Sequence, residues 1–235
     1  EVMMTYCIQD TQVTDMLYKM LMKSEPTEMS IDLEHRMSSI CNEIGNNGWT
    51  FDEKKAGELY AELAQKRYTI EEDLKELFKP REVTEDFYPK SNNKTRGYVK
   101  GELFVKSKTI HFNPSSRQHI QKCLVDKYKW RPSAYTPSGQ AMINESILSA
   151  LPYPEAKRLA DFFLLQKRIG MLAEGAGSWL KKLSPDGKIR HRLNSNSCVS
   201  GRASATSPNL QQVPSAGSLY GKECRELFTA PKGWY

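Results

Sequence analysis

Ser200-Gly201-Arg202-Ala203-Ser204-Ala205-Thr206-Ser207-Pro208-Asn209-Leu210-Gln211-Gln212-Val213-Pro214 is the stretch on which the reading of this chain turns. It carries neither helical nor strand periodicity, and its middle is nearly free of large apolar side chains. Gly201 removes a side chain where a backbone can come close to a partner, and Arg202 places a planar fork of donors beside it. Asn209, Gln211 and Gln212 add three amides. Composition alone favours an ordinary polar surface loop, so its neighbours decide what it is.

Around this loop the charge is uneven. The formal net charge is +6, from 34 basic and 28 acidic residues, which is compatible with a polyanionic partner without identifying one. Acidic residues crowd Asp52 to Asp86, whereas Lys90 to Lys108 and Lys181 to Arg192 are mostly basic. Solvated faces explain either run, but two basic segments flanking a Gly-Arg loop also make a phosphate-contacting surface. A chain of 235 residues with 39% hydrophobic content can bury a core as one large or two ordinary domains. No apolar run approaches membrane-spanning length and the first residues lack the pattern of a secretion signal, so a cytoplasmic setting without a membrane is expected. Cys7, Cys41, Cys123, Cys198 and Cys224 are scattered, with no CxxC pair and no histidine spacing that suggests zinc, and are expected to be reduced and structural.

Periodicity predicts a mainly α chain with small β elements, an α+β class. A helix is expected over Met3 to Met22 with Tyr6, Val13, Met16, Leu17 and Met20 inward, and another over Ile31 to Ile44, stopped by Gly45-Asn46-Asn47-Gly48. Asp52 to Phe78 reads as a long charged rod with a narrow apolar stripe and Asp52 as its N-cap. Pro154 to Ile169 reads as a second long helix, able to pair antiparallel with the first. Between them, Pro80 to Ser91 is expected to be a loop and Gly97 to His111 a small hairpin. In Phe112-Asn113-Pro114-Ser115-Ser116-Arg117, Asn113 is expected to cap a helix that buries Ile120 and Leu124, with Pro114 at its first position. Free N–H groups at such an end, with two hydroxyls and Arg117, suit a phosphate, although a capped helix without a ligand is the plainer reading. A turn at Tyr135 to Gly139 and a short helix over Asn144 to Leu151 follow. Ile189 to Asn194 is expected to be a strand leading into the loop. Tyr220 to Phe228 is expected to be a helix with Leu219, Cys224 and Phe228 inward, and Trp234-Tyr235 opens an apolar run that suggests truncation.

Five segments, in order, resemble the DNA polymerase I family (family A), most closely its short-tailed bacteriophage branch. Ser200-Gly201-Arg202 through Pro208-Asn209-Leu210-Gln211-Gln212-Val213-Pro214 is similar to the signature joining thumb to palm, and Phe112 to Ser116 to a thumb motif. Tyr6-x-x-x-Asp10 is similar to the third motif of the proofreading exonuclease, and Gln166-Lys167-Arg168-Ile169-Gly170 to the phage branch. Gly221-Lys222-Glu223-Cys224-Arg225-Glu226-Leu227-Phe228 resembles the segment before the first catalytic strand of the palm.

The resemblance implies the last exonuclease helix over residues 1–30, the thumb and its base over 31–195, and the thumb-to-palm segment with the start of the palm over 196–235. It implies that Arg202 reaches the minor groove of primer–template DNA at the primer end. Purine N3 and pyrimidine O2 accept there in every Watson–Crick pair, so a donor checks pairing without reading sequence. Asn209, Gln211 and Gln212 would act similarly or on the adjacent backbone, the family often having Asn in place of Gln212. Ser115, Ser116, Arg117, Lys167, Arg168 and Arg225 would hold DNA, mainly at phosphates. Asp10 would be one metal-binding carboxylate of the exonuclease, with Tyr6 orienting the attacking water; Mg2+ is the implied metal of the intact enzyme. The polymerase carboxylates and fingers are expected beyond Tyr235 and the other exonuclease carboxylates before Glu1, so the piece alone is expected to grip DNA without catalysis. The partners implied are primer–template and the remaining palm, fingers and exonuclease segments, from a truncated, split or intein-interrupted gene. Pro80 to Lys108 is short where some phage relatives carry an insertion, so no thioredoxin-type processivity site is expected. Two alternatives remain open: a non-enzymatic duplex-binding module derived from a thumb, and an α-rich domain with an ordinary polar loop.

Overall fold

The computed structural model describes residues 2–231, 233 and 234. Glu1 and Lys232 lie outside them, as does Tyr235, the second residue of the expected apolar run. Two compact units result: a terminal unit, up to Glu53 and from Trp179 onward, and an inserted unit, Lys54–Ser178.

In the inserted unit, α3 (Glu53–Leu77) is the expected rod, its buried stripe being Ala56, Leu59, Leu63 and Leu74. Lysines one turn on from glutamates, Glu62–Lys66 and Glu71–Lys75, keep its outer face in water. Later in the chain α6 (Pro154–Ile169) starts with proline at its first turn, where no N–H is needed. The two helices run antiparallel: Asp73 pairs with Arg158, and one turn or more along Arg67 donates to Gln166 at 3.1 Å. Arg67 also grips Glu174 with both terminal nitrogens, at 2.7 and 2.8 Å, where α6 passes into a single π-helical turn, Gly170–Glu174.

Two expectations need correction here. Residues 81–87 are not loop but strand β2 (Arg81–Phe87), paired along its full length with β3 (Phe104–Ile110) from Arg81↔Ile110 to Phe87↔Phe104. Pro80 and Pro89 bracket the strand instead of interrupting it, and Glu85 faces Lys106 across the ladder as an opposite-charge pair. The hairpin is therefore wider than the one expected within 97–111. The second correction concerns α4 (Arg117–Tyr128), which is capped not by Asn113 but by Ser116, whose Oγ accepts from the His119 N–H at 3.4 Å. Asn113 closes the turn before it, its Oδ1 accepting from the Ser115 N–H at 2.9 Å. Pro114 thus sits in a turn, outside the helix. Ile120 and Leu124 are fully buried as expected, in a core with Leu74, Phe78, Phe112 and Phe162. Within that unit α5 (Glu145–Ser149) is capped by the Asn144 side chain. Glu155 is buried and accepts from the Lys127 ammonium and the Tyr128 hydroxyl, the Tyr128 ring stacking on Tyr153 at 3.9 Å.

The terminal unit begins with α1 (Val2–Met22), which has the expected length but no buried residue, so its apolar side is exposed. α2 (Glu28–Asn47) starts earlier and ends later than expected: Thr27 caps it, and only Gly48, with φ 66°, stops it. Leu33, Met37, Ile40 and Ile44 are exposed, and the packed side is that of Cys41 and Gly45. A Cβ on Gly45 would lie 2.6 Å from the His191 carbonyl oxygen, so the close approach needs glycine. β1 (Trp49–Phe51) is central in a three-stranded antiparallel sheet between β4 (Lys188–Ile189) and β7 (Phe228–Thr229). Phe51, Trp179 and Phe228 pack edge to face over it, with centroids 5.2 to 6.3 Å apart.

The strand expected over 189–194 is two strands, β4 and β5 (Arg192–Asn194). The chain breaks between them because Arg190 turns aside to hold Asp186, at 3.0 and 2.6 Å, and the Asn46 carbonyl, at 2.9 Å. β5 pairs with β6 (Ser204–Thr206), so the opening loop contains a strand that its small polar residues hide. In α7 (Gly221–Glu226) Cys224 faces inward as expected, but Leu219 is exposed and Leu227 is buried in its place.

Candidate nucleic-acid interface

The loop is built on the β5–β6 ladder, Arg192↔Thr206, Leu193↔Ala205 and Asn194↔Ser204. Between the strands the chain turns at Gly201, with φ 71° and its N–H donating to the Cys198 carbonyl at 2.9 Å. That left-handed conformation, which glycine adopts without strain, delivers Arg202 to the surface. Arg202 is exposed and has no hydrogen-bond partner among the described residues. Its guanidinium is available to a ligand.

The amides beside it divide into braces and free groups. Gln211 faces back across the loop, its Oε1 accepting from the buried Ala205 N–H and its Nε2 donating to the Ala203 carbonyl, both at 3.1 Å. Asn209 caps the following 3-10 turn, Leu210–Gln212, its Oδ1 accepting from the Gln211 N–H at 3.1 Å. Gln212 is exposed and its side chain has no partner among the described residues. Arg225, expected to hold DNA, bends back onto the chain: its Nε donates to the Pro214 carbonyl at 2.7 Å and a terminal nitrogen donates to the Val213 carbonyl at 3.5 Å. So Arg202 and Gln212 are presented, while Gln211 and Arg225 hold the segment that presents them. Nothing in the spacing of these residues separated the two sets.

Beside the loop lies a cleft of about 440 Å³ whose lining includes Trp49, His191, Leu210, Gln211 and Arg225. His191 is buried with Nδ1 unpartnered among the described residues, and burial lowers its pKa from the ordinary value. An imidazole in such a place is kept neutral.

In the inserted unit, Arg117 and Lys167, fifty positions apart in sequence, are both exposed and line one open depression of about 370 Å³ with Asn144, Ser146 and Phe163. Ser115 is exposed beside Arg117, whereas the Ser116 hydroxyl is engaged as the cap of α4. Arg168 is only 8% exposed and faces away from solvent, so it differs from its neighbour Lys167 despite their shared charge. Helical rotation of about 100° per residue produces that difference. The Arg67–Glu174 pair, unforeseen from sequence because its members are 107 residues apart, anchors the end of α6 that carries Lys167. Arg67 holds the Glu174 carboxyl below its ordinary pKa through this hydrogen bond, with burial opposing it.

Tyr6 and Asp10 lie one turn apart on α1 and are both exposed. Among the described residues no three His, Cys, Asp or Glu side chains converge on a point where a metal could sit. An exposed carboxylate without two further ligands does not fit a divalent cation. No helix among the described residues is long and apolar enough to cross a membrane.

Comparison with known proteins adds the lineage. The model of DNA polymerase family A matches residues 90–235. The DNA-directed DNA polymerases of Escherichia phage T7 and Enterobacteria phage T3 are each 32% identical over 294 residues, covering 98% of this chain. That span exceeds the 235 residues of the chain, so the relatives carry residues within it that this chain lacks. The chain spans 42% of the length of either. In fold it is similar to the POL domain of Pol1 from M. smegmatis, solved in complex with DNA primer-template and dNTP, with a TM-score of 0.59 at 18% identity, covering 83% of this chain and 29% of that one. A family model over more than half of the chain, a polymerase fold and phage polymerases aligned to almost every residue converge: the chain belongs to DNA polymerase family A.

Proposed function

We propose that this chain is the duplex-holding portion of a DNA-directed DNA polymerase that replicates phage DNA, and that Arg202 contacts the minor groove at the primer end. The observation that carries the reading is the division of labour in the loop: Arg202 and Gln212 are exposed and unpartnered, on a segment braced from behind by Gln211 and Arg225. A rigidly held donor suits acceptors common to every base pair. Ser115, Arg117 and Lys167 take backbone phosphates, which position the duplex without specifying sequence. Asn209, through its free amide end, supplements Arg202. Ser116, Gln211, Arg225 and the buried Arg168 support these contacts from within.

In this reading residues 1–30 are the last helix of a 3′–5′ exonuclease domain, 31–195 the thumb and its base, and 196–235 the passage into the palm. Nucleotide transfer, with Mg2+, then belongs to carboxylates of the remaining palm, with the fingers binding the incoming nucleotide, and Asp10 with Tyr6 serves proofreading only when the other exonuclease carboxylates join it. The hairpin of β2 and β3 spans the thumb stretch in which a thioredoxin-type site would stand, and no such partner is proposed. The site of action is the host cytoplasm.

Anisotropy of a labelled primer–template duplex tests the proposal. Binding should weaken steeply with salt, because lysines and arginines displace counterions from phosphates. Arg202→Ala should lose roughly ten- to a hundredfold in affinity, as expected for a charge-assisted contact, with its melting temperature unchanged. Equal affinity for wild type and Arg202→Ala would sink the assignment. Primer extension on adding the remaining polymerase segments separates a polymerase portion from a non-enzymatic module, which restored synthesis would eliminate.

A further inference from the structure

At the base of the β2–β3 hairpin, where Lys79 and Pro80 lead into β2 and β3 returns to Phe112, a small cleft is lined by Lys79, Arg81, His111, His119 and Cys123 beside two apolar residues. No carboxylate lines it. Arg81, which lines it, has a buried terminal nitrogen, Nη1, with no hydrogen-bond partner among the described residues. A buried donor left without an acceptor is rare in folded proteins and asks for an unseen ligand. The other groups are donors as well. His119 accepts the Asn113 N–H on Nδ1 at 3.1 Å, which leaves the proton of its neutral ring on Nε2. Lys79 and His111 are exposed at the same cleft. Cys123 supplies no anion, since burial pushes its thiol upward in pKa and the Arg81 charge only partly opposes that.

The free volume is about 20 Å³. That admits roughly one water-sized atom, so a ligand would place a single oxygen inside and the rest of its bulk at the mouth. A tetrahedral oxyanion has that shape, with several oxygens to share among donors of fixed direction. We propose that this cleft is a phosphate-group site, one oxygen accepting from the Arg81 guanidinium and the others from Lys79, His111 and His119. The group is either a nucleic-acid backbone phosphodiester or free inorganic phosphate. The cleft shares no lining residue with the Arg117–Lys167 depression, and the proposal stands apart from the polymerase reading, because inorganic phosphate alone probes it.

The chain has four histidines, His35, His111, His119 and His191, whose imidazole signals can be followed by NMR at fixed pH and ionic strength. Titration with inorganic phosphate should move those of His111 and His119 saturably and leave those of His35 and His191 in place. Arg81→Gln should raise the midpoint about tenfold or more, and Arg81→Lys should recover part of the loss. Lys79→Gln, at an exposed position where folding is not at risk, should raise it by a smaller factor. A short DNA duplex forms the second arm: movement of the same two signals by duplex, reversed by added phosphate, identifies the backbone as a source, and movement by phosphate alone identifies the free anion. The proposal is overturned if neither ligand moves the two signals, if all four move together, or if both Arg81→Gln and Lys79→Gln leave the midpoint unchanged.

Discussion

Gln211 is where bracing and DNA contact give opposite expectations, and Gln211→Ala separates them. Its Oε1 is the acceptor for the N–H of Ala205, a residue 2% exposed in the middle of β6, and its Nε2 bonds the Ala203 carbonyl. Removing the amide strands a buried donor, at a cost of about 1–3 kcal/mol, whereas the partly exposed Ala203 carbonyl recovers water and adds little. If the loop opens locally, that cost appears as faster hydrogen exchange of the Ala205 amide, by roughly five- to a hundredfold, with core amides of the inserted unit unchanged. Duplex affinity should fall in parallel, because Arg202 is then carried on a looser segment. Gln211→Glu sharpens the test: it keeps an acceptor for Ala205 but sets an oxygen against the Ala203 carbonyl, so it should behave nearly as badly as alanine. If Ala205 exchange is the same in wild type and Gln211→Ala while duplex affinity still drops, the side chain touches DNA directly and the bracing argument fails.

Three further expectations follow from the packing. Gly45→Ala puts a methyl group 2.6 Å from the His191 carbonyl oxygen, and urea unfolding should show a loss of about 1–3 kcal/mol as α2 is pushed off the chain before β5. His191 is held neutral by burial, its folded pKa lying below the ordinary 6.5. The unfolded chain then binds the extra proton first, so the contribution is whole above about pH 6.5 and is lost as the pH falls from there toward the folded value. Urea midpoints at pH 7.5 and 5.5 should differ for wild type and less for His191→Phe; equal slopes would refute the assignment. Burial raises the Glu155 carboxyl, but hydrogen bonds from Lys127 and Tyr128 outweigh it and the net shift is downward. Its stabilisation is present above the unfolded value near 4.5 and lost below, and Glu155→Gln should cost about 1–3 kcal/mol near neutral pH, read from thermal melts.

Helices were legible where charge and apolar period agreed. The rod of α3, the antiparallel run of α6 and the burial of Ile120 and Leu124 all follow from side chains recurring at three and four positions. Strand β2 was hidden because Pro80 and Pro89 read as breakers, and only the partner β3, with Lys106 opposite Glu85, turns the segment between them into a sheet. The cap of α4 was misplaced by three residues because Asn113 and Ser116 are equally good cap types, and the turn that Asn113 closes is decided by local geometry.

By itself the sequence determined the order of helices, the family to which the loop from Ser200 to Pro214 belongs, and the residue types available for DNA. Those properties are local: they depend on period, on backbone permissions such as that of Gly201, and on motif order. Tertiary structure alone decided which polar groups are spent and which are offered. Gln211 and Gln212 are adjacent amides, yet one is consumed by the buried Ala205 N–H and the other faces water. Lys167 and Arg168 are adjacent cations, yet one lines an open depression and the other lies inside. The physical reason is the same in both pairs: a buried donor or acceptor must be met by whatever side chain the fold brings to it, and that choice is made by residues distant in sequence.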